Sequence, residues 1–136
     1  MRYVLDANVI FSALIRDSHT RHMLLFGTHS WYVPSFILEE IFDHIDIIEE
    51  KTGMMRSDIE DVLRNIISAA RIGIIAFDEY KDKHAKAMRI SPDIDDVHYI
   101  ALALHLRCAI WSNDKALKRQ GIVGIHTTEE MTHAHR

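Results

Sequence analysis

The sequence predicts an α/β fold with a central parallel sheet flanked by helices. Short apolar runs alternate with longer helix-periodic stretches along the whole chain, the pattern of βα units rather than of hairpins. Acidic residues also stand at the edges of apolar elements, with Asp6 closing Tyr3-Val4-Leu5 and Glu40, Asp96 and Asp114 at later ones. An acidic side chain near the end of a buried parallel strand reaches the crevice where open α/β sheets bind ligands. The length, 136 residues of which 48% are hydrophobic, suits one domain with a single core over residues 1–136.

Arg2 to Leu5 is the first strand, and Asn8 to Ile15 then His19 to Phe26 have helical character broken near Asp17-Ser18. Trp31-Tyr32-Val33 is the second strand. Pro34-Ser35 opens a long helix to about Lys51, which Gly53 ends, and Ser57 begins another through about Ala70 with Asp58, Glu60 and Asp61 in its first turn. Gly73 to Phe77 is a third strand, followed by a polar helix from about Glu79 to Met88. Ser91-Pro92-Asp93 starts the next helix. Cys108 to Trp111 and Ile122 to Ile125 are further strands separated by a helix through Lys115 to Arg119, and residues from about Thr128 form a final turn, helix or flexible tail.

With 26% charged residues, 2 Pro and 5 Gly, the composition is that of a soluble globular protein. Cys108 has no intrachain disulfide partner and sits in an apolar stretch, so it reads as a small buried hydrophobe in a reducing compartment. A zinc–thiolate site is excluded. No leader pattern and no apolar run of membrane-spanning length is found, which predicts a cytoplasmic protein with no membrane partner. The net charge of −4 argues against gripping nucleic acid by bulk charge. Acids concentrate between Glu39 and Glu50, whereas Arg16, Arg21, Arg89, Arg107, Lys115, Lys118 and Arg119 are scattered among connections and helix ends.

Helix phase, at about 100° per residue, sorts the acids. Ile37, Leu38, Ile41, Ile45 and Ile48 share one face; Glu40 falls within its border and Glu39 nearly opposite. Val97, Ile100, Ala103 and Leu104 surround the direction of Asp96, with Asp95 at the flank and Asp93 one turn earlier. Each acid has a plainer reading. Asp6, Asp93 and Asp114 precede helical stretches and suit N-caps, and Glu40 alone suits a solvated helix. Together they point further, because carboxylates beside apolar faces are costly unless paired or bound to metal, and no basic residue is placed to pair with all of them.

Of ten histidines, His44 falls towards the Glu40 face and is kept as a site neighbour, while His133 and His135 belong to a solvated tail. Trp31, Tyr32 and Trp111 lie in strands, where core packing outweighs base stacking.

Four segments in order resemble the PIN-domain nucleases, including the VapC-type toxins. They are Val4-Leu5-Asp6-Ala7-Asn8-Val9-Ile10, Pro34-Ser35-Phe36-Ile37-Leu38-Glu39-Glu40-Ile41, Asp93-Ile94-Asp95-Asp96 running into Ile100 to Leu104, and Ser112-Asn113-Asp114. The resemblance implies a PIN-like α/β/α sandwich whose catalytic and metal-binding acids are Asp6, Glu40, Asp96 and Asp114, with Asp93 auxiliary and Asn8 and Ser112 holding the ligands. Asp93, Asp95 and Asp96 offer more acids than the pattern requires, so their division of roles stays open. Mg²⁺ and Mn²⁺ are hard cations that take oxygen ligands, and a pair of ions roughly 3.5 to 4 Å apart serves in-line phosphoryl displacement. The implied activity is metal-dependent endonucleolytic hydrolysis of single-stranded RNA, leaving a 5′-phosphate and a 3′-hydroxyl.

The resemblance also implies a toxin with an antitoxin protein as partner, and a homodimer, for which Ile10, Leu14, Leu24, Phe26 and the Ile41 to Ile48 helix are the contacts expected from their apolar surface. Against the enzyme stands a noncatalytic PIN-fold module that binds RNA or protein through the same acidic cleft. A phospho-accepting receiver domain ranks last, since Asp6 lacks an acidic neighbour and Ala76-Phe77-Asp78 is a weak substitute for its phosphorylated strand end.

Overall fold

A computed structural model describes residues 1–15 and 18–134. Arg16 and Asp17, at the expected helix break, and His135 and Arg136, at the end of the tail, lie outside the described residues.

Five strands form one sheet: β1 (Arg2–Leu5), β2 (Ser30–Pro34), β3 (Gly73–Ile75), β4 (Ala109–Trp111) and β5 (Ile125–His126), in the order β3-β2-β1-β4-β5. All neighbours are parallel, with Tyr3 opposite Trp31 on one side and Ala109 on the other. β1 is central, and Tyr3, Val4 and Leu5 are all buried, which is why it reads as an uninterrupted apolar run.

The helices are α1 (Ala7–Ile15), α2 (Ser18–Phe26), α3 (Phe36–Asp43), α4 (Ile45–Thr52), α5 (Arg56–Ala69), α6 (Phe77–Tyr80), α7 (His84–Ile90), α8 (Val97–Leu106) and α9 (Thr128–Ala134). The first five pack on one another, and α6 and α7 pack on α8, which lies against β1, β2 and β4. From β1 to β3 the strands step one way, and β4 returns to the other side of β1; right-handed crossovers therefore place the two helix groups on opposite faces. In α8 the run Tyr99 to Ala103 is buried all round, as befits a helix sunk between a sheet and other helices.

Several elements differ from the sequence expectation, each for a local reason. The long helix after Pro34 is two helices. At His44, φ is −109° and ψ 8°, and the Glu40 carbonyl oxygen is shared between the His44 N–H at 3.2 Å and the ring Nδ1 at 2.8 Å, a side-chain contact that marks the end of α3. The third strand stops at Ile75; extended Ala76 starts α6, so Phe77 is helical. The polar helix is broken by a 3₁₀ turn at Lys81–Lys83. The segment before α8 is likewise a 3₁₀ turn, Ile94–Asp96, as is Lys115–Gln120. Ile122 to Gly124 is loop because the Gln120 side chain takes the N–H groups of Ile122 and Val123 at 2.9 and 2.7 Å. Cys108 is half-buried and precedes β4.

Trp31 and Trp111 are core residues, 5.4 Å apart between ring centroids. Gly53 ends α4 at φ 70°, a left-handed position that glycine adopts without steric cost. Thr128 onwards forms α9, anchored by fully buried Met131. Ile10, Leu14 and Leu24, expected at a dimer contact, are instead core, since α1 packs among α2 to α5; Phe26, Phe42 and Ile47 are among the exposed apolar side chains of that region. Among the described residues no helix is long and apolar enough to cross a membrane.

Candidate functional site

The strand order reverses between β1 and β4, the place where an open α/β sheet leaves a crevice beyond its strand ends. Asp6 directly follows β1, and its N–H bonds the Trp111 carbonyl at the end of β4 at 3.1 Å. Ser112, the next residue along, is fully buried. Its Oγ donates to Asp6 Oδ2 at 2.7 Å and accepts the Asp114 N–H at 3.1 Å. One hydroxyl thus ties the ends of two neighbouring strands to the loop carrying Asp114.

Glu40 reaches the crevice from α3. Its Oε1 accepts the Tyr99 hydroxyl at 2.7 Å. Asp96 stands at the head of α8, where its side chain makes no capping bond. Asp93 and Asp114 do cap: they accept the N–H groups of Asp95 and Ala116, each at 3.0 Å. Capping and facing the crevice therefore coexist in those two acids, while the Asp96 carboxylate is left out of the helix terminus.

A cleft of about 240 Å³ is lined by Asp6, Glu40, Asp93, Asp95, Asp96 and Asp114 together with Asn8 and His44. Ser112 does not line the cleft but is bonded to two residues that do, Asp6 and Asp114. Against the Asp6 carboxylate the structure sets the backbone N–H groups of Asn8 and Ala7; the Asn8 side chain is exposed at the rim. His133 is exposed, 4.0 Å from Glu129.

Two lining residues went unnoticed in the sequence: Tyr99 and Phe11. Tyr99 follows Asp96 by three positions, the spacing that puts two side chains on one helix face, so the signal was present.

The charges in this cleft raise one another. Asp96 is pushed up to about 7, first by burial and then by Asp6, Asp114, Asp93 and Asp95. Burial also lifts the Asp6 carboxyl, opposed by the Ser112 hydroxyl and the two backbone N–H groups. Glu40 is lifted by burial, with the Tyr99 hydrogen bond pulling the other way. Burial and then the Glu40 charge raise the Tyr99 hydroxyl, which stays a donor.

A sequence profile for the PIN domain matches residues 4–136. The chain belongs to the PIN domain family. Its sheet and helices are also similar to a solved structure, VapBC2 from Rickettsia felis bound to a DNA fragment from their promoter, with a TM-score of 0.68. That match covers 93% of this chain and 98% of the other at 18% identity, so it shows a shared fold. No curated protein matches the chain.

The polar lining of the cleft in this PIN domain is six carboxylates with Asn8, Tyr99 and His44, and so rich an oxygen set suits a hard cation. Among the described residues, no three His, Cys, Asp or Glu side chains form a ready-made ligand cage. Mg²⁺ is held by one or two carboxylates and keeps several waters; the residues fit a hydrated ion of that kind, drawn by concentrated negative charge.

Proposed function

We propose that the chain is a divalent-metal-dependent endoribonuclease that hydrolyses phosphodiester bonds of single-stranded RNA, the toxin of a cytoplasmic toxin–antitoxin pair. The observation that carries this reading is the meeting of six carboxylates, Asp6, Glu40, Asp93, Asp95, Asp96 and Asp114, in one cleft, where burial and then the neighbouring acids push the Asp96 carboxyl up to about 7 and its side chain makes no capping bond, an arrangement that suits a bound cation. Asp6, Glu40, Asp96 and Asp114 would hold Mg²⁺ or Mn²⁺, with Asp93 assisting. The cation supplies charge neutralisation and an activated water, which cluster carboxylates alone cannot provide. Ser112 fixes the Asp6 carboxylate, Tyr99 fixes that of Glu40, and the cleft admits a phosphodiester of an extended strand. The products are a 5′-phosphate and a 3′-hydroxyl.

The test is cleavage of several single-stranded RNAs with Mg²⁺ or Mn²⁺ and with EDTA, beside Asp6→Asn and Asp96→Asn. Metal-dependent cleavage lost in both variants, with circular dichroism unchanged, is the expected result; cleavage in EDTA, or full activity in both variants, overturns it. A noncatalytic PIN-fold module that binds RNA or protein through the same acidic cleft is the second reading. Binding of RNA or protein without cleavage in any metal would select that module.

The reading includes an antitoxin partner and a homodimer whose contact uses Phe26, Phe42 and Ile47, 70%, 60% and 48% exposed. Light scattering at micromolar concentration should give twice the monomer mass, and a monomer mass alone rules the dimer out.

A further inference from the structure

Among the described residues lining the acidic cleft, His44 is the one nitrogen base. Its ring Nδ1 lies 2.8 Å from the Glu40 carbonyl oxygen, and because that oxygen only accepts, Nδ1 carries the proton and donates it. The Phe11 ring, also in the cleft lining, packs beside the imidazole with centroids 5.5 Å apart. In the neutral ring this leaves Nε2 with a free lone pair, and no hydrogen bond from the described residues engages it. The side chain is exposed, so that lone pair is open to a ligand.

Glu40 precedes His44 by four residues, the spacing that makes two side chains neighbours on one helix face. The turn between them is intact, with the His44 N–H on the Glu40 carbonyl at 3.2 Å. Glu40 Oε1 accepts the Tyr99 hydroxyl, and among the described residues Oε2 has no hydrogen bond. One helix thus presents an oxygen and a nitrogen lone pair to the cleft, one turn apart.

Metal-binding side chains at i and i+4 of a helix share a face and can chelate one ion, and a metal-ligating histidine almost always donates its other ring N–H, often to a backbone carbonyl. His44 meets both conditions. The bland reading is a histidine that closes its own helix and does nothing more. Glu129 and His133 on α9 repeat the spacing on open surface, 86% and 60% exposed, so spacing alone decides nothing; what sets His44 apart is the held Nδ1 and the five further acids lining the same cleft.

We infer that His44 Nε2 is a ligand of the cleft cation beside Glu40, making this a site for a first-row transition ion such as Mn²⁺ or Co²⁺ in preference to Mg²⁺. The inference rests on the metal site of the endoribonuclease reading. A nitrogen ligand adds affinity for transition ions, more for Co²⁺ than for Mn²⁺, and little for Mg²⁺, which suits oxygen. Because no three side chains form a ready-made cage among the described residues, Glu40 and His44 supply the direct pair and the ion keeps waters that face the other acids.

The test is calorimetric titration of the full chain with Mg²⁺, Mn²⁺ and Co²⁺, together with the visible absorption of bound Co²⁺, which reports its ligand set. His44→Gln should weaken Co²⁺ binding at least about tenfold and Mn²⁺ binding by less, with Mg²⁺ changed by no more than about twofold. The Co²⁺ spectrum should change in His44→Gln and stay unchanged in the surface control His133→Gln. His44→Ala, which offers no side-chain oxygen in place of the imidazole, should show the same order of losses and decides the matter if the glutamine variant misfolds. If Asp6→Asn abolishes ion binding while both His44 variants keep wild-type Co²⁺ affinity and spectrum, His44 is no ligand and the nuclease reading stands. Equal losses for all three ions would likewise overturn the nitrogen ligand, leaving His44 a support for Glu40. If the wild type binds none of the ions and cleaves no RNA, both readings fall.

Discussion

Two acidic regions of this PIN domain are built from the same side chains and treated in opposite ways. On the outer surface, Asp46 of α4 and Glu49 one turn later both take Arg56 of α5, at 2.7 and 3.0 Å, and Asp61 takes Arg64 at 2.7 Å. In the cleft six acids meet and, among the described residues, no Lys or Arg lines it. Exposed pairs of the first kind contribute at most about 1 kcal/mol. Unpaired acids of the second kind oppose folding and are retained where something positive binds. Acidity by itself is therefore uninformative in this chain; what separates the regions is whether the sequence supplies the counter-charge.

The hardest test of that contrast is to neutralise one acid in each region. Asp96→Asn or Asp6→Asn should lower metal-dependent RNA cleavage by more than about a hundredfold, beyond the range typical of groups that only support a metal ligand. Asp46→Asn should leave cleavage unchanged. Equal losses in the two regions would show that general acidity, not the cleft, sets activity.

Titration gives the next effect. The Asp96 carboxyl is raised from 3.8 to about 7 in the folded chain, so the fold binds its proton more tightly than the unfolded chain does. Its contribution to stability is full below about 3.8 and is lost as pH rises through about 7. Asp6 and Glu40 are shifted in the same direction. Melting in EDTA should therefore find Asp96→Asn increasingly more stable than wild type from pH 4 to about 7.5, across the window those values define. Adding Mg²⁺ or Mn²⁺ at the upper end should raise the wild-type melting temperature and close the gap. A difference that stays flat with pH, or that cation leaves untouched, contradicts the electrostatic account.

The sheet was legible because its period and its burial coincide: Tyr3-Val4-Leu5 and Ile110-Trp111 are buried strand residues that read as apolar runs. The acids were legible because strand ends and helix phase are local properties, so Asp6 and Glu40 could be aimed from the sequence. Breaks set by single side chains were not. His44 stands at the end of α3 and Gln120 holds back the start of the last strand, each through bonds to backbone groups, and an imidazole or an amide gives no periodic warning of that. Glu39 shows a further limit. Helix phase aimed it away from the acidic cleft, and it is exposed; yet its charge acts on Tyr80, which burial and then Glu39 push up to about 12, and on His98. "Outward" on the wheel meant towards Tyr80 and His98.

Tyr99 gives the smallest expected effect and the sharpest reading of the cleft. Its hydroxyl, 2.7 Å from Glu40 Oε1, is a neutral donor among charges, and the bond draws the Glu40 carboxyl down against the burial that lifts it. In Tyr99→Phe the ring still fills its buried place, so stability should fall by only about 1 kcal/mol. Glu40 loses its donor, and its carboxyl rises further. The acid limb of the rate–pH profile should therefore move to higher pH, and activity at neutral pH should fall by about tenfold, the loss typical when a ligand's supporting hydrogen bond is removed. The Mn²⁺ concentration needed for half-activity should rise with it. A merely structural role for Tyr99 predicts lower stability with an unmoved pH profile and unchanged metal requirement, and that result would make Glu40 independent of the hydroxyl beside it.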